Sequence, residues 1–366
     1  MKVKLEDVCI RDSSNLKQSD VLGKEGKYPV YGAAGYIGNV EFYHQKKSYV
    51  AVVKDGAGIG RTLICPAKSS VIGTMQYLLP KENILPEYLY YIVRYMHLEK
   101  YYTGATIPHI YFKDYKVEKF NLDSIDRQYN IINILGKCEK IINIRQKEIE
   151  KLDNLIKARF VEMFGDENNS KNWKNWKIVN IEDVADVQVG VVIKPSQYYT
   201  DESKGIRAFR SLNIGEGYIK DSDWVYFTEE GHQKNKKSIL KENDLLIVRS
   251  GTPGTTCVVT KEYEGYNAID IIIAHPNCKK VNPYYLCEYT NMPHGKRKIT
   301  EGTGGAAQQH FNVGKYNKIQ LMLPPMELQN QFADVVHQVN KSKVAVQKAL
   351  DETQKLFDSL MQQYFG

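Results

Sequence analysis

The chain repeats itself, and the repeat limits what it can fold into. Residues 125–165 align without a gap on residues 326–366, a shift of 201 positions. Met163-Phe164-Gly165 then faces Tyr364-Phe365-Gly366, and Asp126 and Gln128 face Glu327 and Gln329. Upstream, Val53-Lys54-Asp55-Gly56 returns as Val248-Arg249-Ser250-Gly251, and Leu85-Pro86-Glu87-Tyr88-Leu89 as Asn282-Pro283-Tyr284-Tyr285-Leu286. Two tandem copies of one unit are expected, each a globular block followed by a long helix, and like halves tend to pack about a pseudo-twofold axis. Such a molecule can address two sites a fixed distance apart.

Residues 125–164 contain no proline and one glycine, Gly136. Apolar residues recur in steps of four and three at Ile131, Leu135, Cys138, Ile142, Ile149, Leu152, Ile156 and Met163, interrupted by Arg145 and Arg159. The second copy has Phe332, Val336, Val339, Val346, Leu350, Phe357, Leu360 and Tyr364, interrupted by Lys343 and Thr353. A 3.5-residue seam held over roughly five heptads predicts a coiled coil rather than a helix lying only on its own block. Each helix would run roughly 60 Å at 1.5 Å per residue. Antiparallel pairing of the two copies would bury both seams and carry the blocks to opposite ends, with Arg145 and Lys343 as polar intrusions that fix register.

No apolar run reaches the length of a membrane span, and the six cysteines form no CxxC pair and no zinc spacing, which predicts a reduced, cytoplasmic protein without metal or cofactor. The formal net charge of +7 is unevenly placed. Residues 1–122 carry 17 Lys and Arg against 12 Asp and Glu, residues 167–325 carry 21 against 18, and the two helical segments are close to neutral. The excess lies in the blocks, which suits a polyanion partner as well as simple solubility.

Both blocks are strand-rich. Tyr49-Val50-Ala51-Val52-Val53 reads as a buried strand, followed by the glycine-rich turn Lys54–Arg61 and a second strand, Thr62-Leu63-Ile64. In the second block Leu245–Val248 leads into Arg249-Ser250-Gly251-Thr252-Pro253-Gly254-Thr255-Thr256 and then Cys257-Val258-Val259. A strand follows where a dinucleotide-binding turn would start a helix, and no GxxxxGK[ST] phosphate loop occurs. The loops do offer backbone that can approach a ligand closely, flanked by Lys54 and Arg61 in one copy and by Arg249, Ser250, Thr252 and Thr255 in the other, all chemistry suited to phosphates and guanine edges. Proline at Pro86 and Pro283 starts a short helix in each block. Asn282-Pro283-Tyr284-Tyr285 lacks the second proline of the adenine-methyltransferase motif and reads as structural. A glycine- and threonine-containing loop follows, Thr103–His109 in the first copy and Gly302–His310 in the second, where Gln308 and Gln309 could read adenine edges. Arg207-Ala208-Phe209-Arg210-Ser211-Leu212-Asn213 is a strand-like run in which Arg207, Arg210, Ser211 and Asn213 are plausible contacts, whereas its counterpart Lys27–Gly32 is different chemistry. Like scaffolds with different fronts would recognise two different short sequences.

No GxSxG, HExxH or metal-nuclease carboxylate cluster occurs, which points to recognition rather than catalysis. On its helical repeats and the Arg249-Ser250-Gly251 loop, the chain resembles, over essentially its whole length, the specificity (S) subunit of a Type I restriction–modification system. The resemblance implies an α+β fold in which two pseudo-twofold-related globular target recognition domains are joined by two long helices forming an antiparallel coiled coil. The segments would be residues 1–122 (first domain), 123–166 (first helix), 167–325 (second domain) and 326–366 (second helix), leaving little N-terminal segment to close the cycle of repeats. It further implies a non-catalytic subunit that binds double-stranded DNA, each domain gripping one half of a bipartite site, with the helices setting the spacer and docking two methyltransferase (M) subunits and the restriction (R) subunits. The first block has Ile107-Pro108-His109 where the second has glutamines, so no base contact is carried over there. A self-contained methyltransferase or nuclease, and a coiled-coil scaffold with no role on DNA, are the competing readings.

Overall fold

A computed structural model of the chain describes residues 1–104, 108–165, 176–301 and 311–366. They form an α+β fold divided into two compact units, Met1–Lys147 with Gln347–Gly366, and Glu148–Val346. The division cuts both long helices, α2 (Ile125–Phe164) and α4 (Met326–Phe365), each an unbroken run of 40 residues. Each of these helices therefore begins in one unit and ends in the other.

In unit 1 an antiparallel sheet runs in the order Cys9–Ser13, Met75–Pro80, Tyr49–Val53, Thr62–Cys65. Tyr49–Val53 is buried along its whole length because both faces are covered. Val50 and Val52 pack with Tyr88, Leu89 and Ile92 of helix α1 (Pro86–Tyr95), while Tyr49, Ala51 and Val53 pack with Val71, Met75 and Tyr77 on the other side. A second sheet orders Gly35–Val40, Tyr28–Gly32 and Ser70–Val71, and Lys2–Lys4 pairs with Lys119–Asn121 to tie the front of the block to its back.

Unit 2 repeats this plan. Its main sheet runs Ala185–Val189, Ile271–Pro276, Leu245–Val248, Thr256–Val258, and Lys177–Asn180 pairs with Gln320–Leu323. Leu245 and Ile247 pack with Tyr285, Leu286 and Tyr289 of helix α3 (Pro283–Asn291), whereas Leu246 and Val248 pack with Phe209 and Cys257. The second sheet is larger here, with Tyr199–Thr200, Val225–Phe227, Ile206–Phe209 and Asn267–Ala268.

One glutamine anchors each long helix. Gln128, fully buried in the first turn of α2, accepts from the Leu85 amide at 2.9 Å and donates to the carbonyls of Asn83 and Asp123 at 3.1 and 3.0 Å. Gln329, fully buried in the first turn of α4, accepts from the Asn282 amide at 2.8 Å and donates to the Pro324 carbonyl at 2.8 Å. Leu85 and Asn282 are the residues that cap α1 and α3, so the same side chain joins two helix starts in both copies.

The far end of the other long helix packs on the same short helix. In unit 2 the Phe164 ring lies 4.8 Å from Tyr285, and in unit 1 the Phe365 ring lies 5.4 Å from Tyr88. Within unit 2, Phe160 and Phe164 meet Phe332 at 5.5 and 5.6 Å while Asp153 pairs with Lys343, so the paired helix segments run antiparallel. The expected seam is buried at Ile131, Leu135, Cys138, Ile142 and Ile156 and at Phe332, Val336, Val339 and Phe357, but Ile149, Leu152, Val346 and Leu350 are only partly buried. The ends also differ from the heptad expectation. Phe160 and Phe164, and their equivalents Met361 and Phe365, are buried in place of Met163, Leu360 and Tyr364. Steps of four carry the stripe onto the short helix, which a straight helix of 3.6 residues per turn does once it leaves a 3.5-residue seam.

Replacing Gln128 or Gln329 with Ala leaves a buried backbone N–H without an acceptor. Each variant is expected to lose about 2–3 kcal/mol of unfolding free energy, measured by urea denaturation.

Candidate nucleic-acid interface

Each main sheet presents a hairpin whose two ends are held in the same way. In unit 1 the Val53 amide donates to the Arg61 carbonyl and the Gly60 amide to the Val53 carbonyl, both at 2.9 Å. In unit 2 the Val248 amide donates to Thr255 and the Gly254 amide to Val248, again at 2.9 Å. Gly60 (φ +79°) and Gly254 (φ +89°) adopt the left-handed conformation and also sit tight: a Cβ there would come within 2.7 Å of the Glu99 amide and 2.9 Å of the Ile299 side chain. Gly56 and Gly251, also left-handed, have nothing within 4 Å of where a Cβ would point, so the loop tips are the open part.

The structure joins the first hairpin to its return loop and the second hairpin to the residue that follows its own, both far away along the chain. The Ile110 amide donates to the Lys54 carbonyl at 3.0 Å, and the Phe311 amide to the Arg249 carbonyl at 3.3 Å. In unit 1 this brings His109 onto Asp55, with the His109 ring 4.1 Å from Tyr111 and Lys113 lying 5.2 Å over Tyr111. No motif marks Asp55, His109, Tyr111 and Lys113 in the sequence; their proximity depends on the Ile110 to Lys54 bond and on the Gly56 amide donating to the Pro108 carbonyl at 3.0 Å.

The charged candidates are held rather than loose. Lys54 pairs with Asp55 at 3.8 Å, and exposed Arg61 reaches back to the Ala33 carbonyl at 3.0 Å. Arg249 is only 14% exposed, pairs with Asp270 at 3.0 Å, and keeps a buried Nε–H with no partner. Asp270 follows Asn267–Ala268, the strand that pairs in parallel with Ile206–Phe209 and so leads to Arg210. Arg210 donates to the Asp223 carbonyl and likewise keeps an unpartnered Nε–H. Arg207 lies 5.5 Å over the Trp224 ring and 3.4 Å from Asp221. Desolvation lowers its pKa, but Tyr266, Tyr226 and Asp221 outweigh that and hold the guanidinium above its ordinary value, so it is a fixed cation. Thr252 is exposed at the hairpin, and Ser250 and Ser211 are partly exposed.

Two candidates are corrected by the structure. Asn213 is fully buried; its oxygen accepts from the Arg210 amide at 2.9 Å and its amide donates to the Ser222 carbonyl at 2.6 Å, so it closes a turn instead of reaching a ligand. Thr255 is 8% exposed because the second hairpin is one residue shorter, which places Thr255 where the first has Arg61 but turns it inward. Ser211–Asn213 forms a 3₁₀ turn after the strand Ile206–Phe209, not a continuation of it. Gln308 and Gln309 lie outside the described residues. Among the described residues no group of His, Cys, Asp and Glu could hold a metal ion.

Two strand-rich units of one plan, each offering a basic hairpin, agree with a family match: the model of the Type I restriction modification DNA specificity domain covers residues 1–154 and 173–353. The chain belongs to this family. The family is one of non-catalytic specificity subunits, so this subunit recognises DNA and leaves chemistry to others. It is 19% identical over 305 residues to the Type I restriction enzyme MjaIX specificity subunit of Methanocaldococcus jannaschii, spanning 78% of this chain and 69% of that one. It is 21% identical over 332 residues to the MjaVIII specificity subunit of the same organism, spanning 85% and 77%. Its fold is similar to that of the S subunit of the M. genitalium Type I system, with a TM-score of 0.63 at 15% identity over 100% of this chain and 96% of that chain. It is also similar, with a TM-score of 0.54 at 14% identity, to a chain from a Type I system solved for its complex assembly and conformational transition, over 100% and 97%.

Within this specificity subunit, Asn213→Ala is expected to act on folding. It should cost about 2 kcal/mol of stability in chemical denaturation, because the Arg210 amide is left without its acceptor.

Proposed function

We propose that the segments 1–122 and 167–325 are target recognition domains, each binding one half of a bipartite double-stranded DNA site. The observation that carries this reading is the repetition of one scaffold with different fronts. The hairpin bonds are the same in both units, yet the first presents Lys54, Arg61 and His109 and the second Arg249, Thr252 and Arg210. A common plan supports a common task, and different side chains support different half-sites. Residues 123–166 and 326–366 would then serve as the spacer.

The reading extends to partners. Helix α2 leaves Ile134, Ile141 and Ile144 exposed on its unit 1 portion, a second apolar stripe at helical spacing beside the buried one. This supports helical docking of a methyltransferase subunit; two per specificity subunit are proposed, with the restriction subunits recruited to that complex. No helix among the described residues is long and apolar enough to cross a membrane, and the six cysteines are free, which supports a cytoplasmic place of action.

Two experiments test the proposal. Mapping of methylated adenines in the host with the gene intact and deleted should show loss of a single motif, two short specific halves around a non-specific spacer; an unchanged pattern favours the scaffold reading. In binding assays on the assembled complex, Arg249→Ala and Arg61→Ala should each weaken DNA binding and reduce the slope of log affinity against log salt by about 1 for each phosphate no longer neutralised. Affinity and slope equal to wild type in both variants would remove the hairpins from the interface.

A further inference from the structure

The two units set the same short helix against equivalent stretches of long helix, and comparing them reveals a site in unit 2. In unit 1 the Tyr91 hydroxyl donates to Glu139 Oε2 at 2.8 Å, while Arg94 pairs with the same carboxylate and lies 5.1 Å over the Phe357 ring. Tyr91 and Phe357 are buried, so the space is filled and its carboxylate has a cation. Under the repeat shifts, Tyr91 corresponds to Glu288, Arg94 to Asn291, Glu139 to Asn340 and Phe357 to Ile156. The guanidinium and both rings are missing from unit 2. In their place is a cavity of about 350 Å³ with Ile156, Val258, Val336 and Tyr284 in its walls and Glu288 among its lining groups.

Glu288 is 7% exposed, and its Oε1 has no hydrogen-bond partner. A buried acceptor left without a donor calls for an explanation. Three of the neighbouring cations are engaged elsewhere, Lys157 and Lys296 on Glu216 and Lys343 on Asp153, and Lys220 also lines the cavity. We propose that this cavity binds a small organic cation, an amine or amidinium on a compact apolar body, whose N–H groups donate to the Glu288 carboxylate while its body rests against Ile156, Val258 and Val336. The ligand supplies to unit 2 what Arg94 and Phe357 supply to unit 1. Thr252 and Thr255 also line the cavity, which puts the ligand against the base of the second hairpin.

The groups around Glu288 set the pH dependence. Asp153 and Lys157 face the cavity from α2, Glu216, Tyr218 and Lys220 from the segment after Ile214, Lys343 from α4, and Tyr284 and Cys287 from the helix that carries Glu288, while Lys296 acts on that carboxyl from the helix Pro293–Glu301. Burial first, then Glu216 and Asp153, raise the Glu288 carboxyl to about 7 against the opposing pull of Lys157 and Lys296. A cation binds the ionised form, so affinity is full above that value and falls as pH drops below it.

The test titrates the full chain with benzamidine, which stays protonated throughout, by isothermal calorimetry at about pH 8 and about pH 6. Saturable single-site binding is expected at the higher pH, weakened about tenfold at the lower pH and at least about tenfold in Glu288→Gln, which keeps the shape but removes the charge. Glu288→Tyr restores the residue of unit 1 and should abolish binding with an unchanged circular dichroism spectrum. No saturable binding by the wild type, affinity independent of pH, or equal affinity in Glu288→Gln overturns the proposal and leaves a water-filled cavity. If Glu288→Gln does not fold, the pH comparison on the wild type decides. DNA binding by the assembled complex is read separately, so failure of the cavity proposal leaves the recognition reading intact.

Discussion

A single buried amide side chain anchors the plan of each unit. A helix start leaves backbone N–H groups without partners, and a buried one must find an acceptor. Gln128 and Gln329 supply that acceptor to Leu85 and Asn282 and use their own amide nitrogens on the carbonyls nearby. The short helix and the long helix are thereby locked at their starts, and everything else is placed from that corner. The main sheet packs on the short helix, and the hairpin extends from the sheet. The far end of the other long helix closes on the same surface through Phe365 against Tyr88, or Phe164 against Tyr285.

Around this corner the copies are free to diverge. Asn291 binds both polar atoms of the Thr256 backbone, at 3.0 and 2.9 Å, and ties helix α3 to the second hairpin, whereas its counterpart Arg94 turns to Glu139 instead. The hairpin backbones agree, but one residue fewer in the second copy turns Thr255 inward where Arg61 points out. Small changes of this kind alter what a loop presents without altering the hydrogen bonds that hold it, which suits a scaffold whose two halves must read different sequences.

The long helices, the buried strands Tyr49–Val53 and Leu245–Val248, and the proline-started short helices were all legible from the chain. Their signals are local: no proline within the helical runs, unbroken apolar segments, and a proline at the first helical position. The end of the helical seam was not. Met163 and Phe164 are adjacent and both apolar, and only the presence of Tyr285 and Phe332 makes Phe164 the buried one. Among the site residues, Arg249 and Arg207 could be chosen by type, but their partners Asp270 and Trp224 could not, since those contacts depend on the pairing of Leu245–Val248 with Ile271–Pro276 and of Ile206–Phe209 with Val225–Phe227. Asn213 has the chemistry of a base reader and the position of a turn closer, and composition cannot distinguish the two.

The sequence by itself determined that there are two copies of one unit, that each ends in a proline-free helix of about 40 residues, and that the positive charge lies in the blocks rather than the helices. These follow from periodicity and from counting, which need no knowledge of what touches what. Only the tertiary structure decided that each helix begins in one compact unit and ends in the other, that the first hairpin meets Pro108–Ile110, and that Glu288 lies buried beside a cavity where Tyr91 fills its own. Those outcomes come from contacts between residues far apart in the chain, where a side chain's role depends on which neighbours remain unpaired around it.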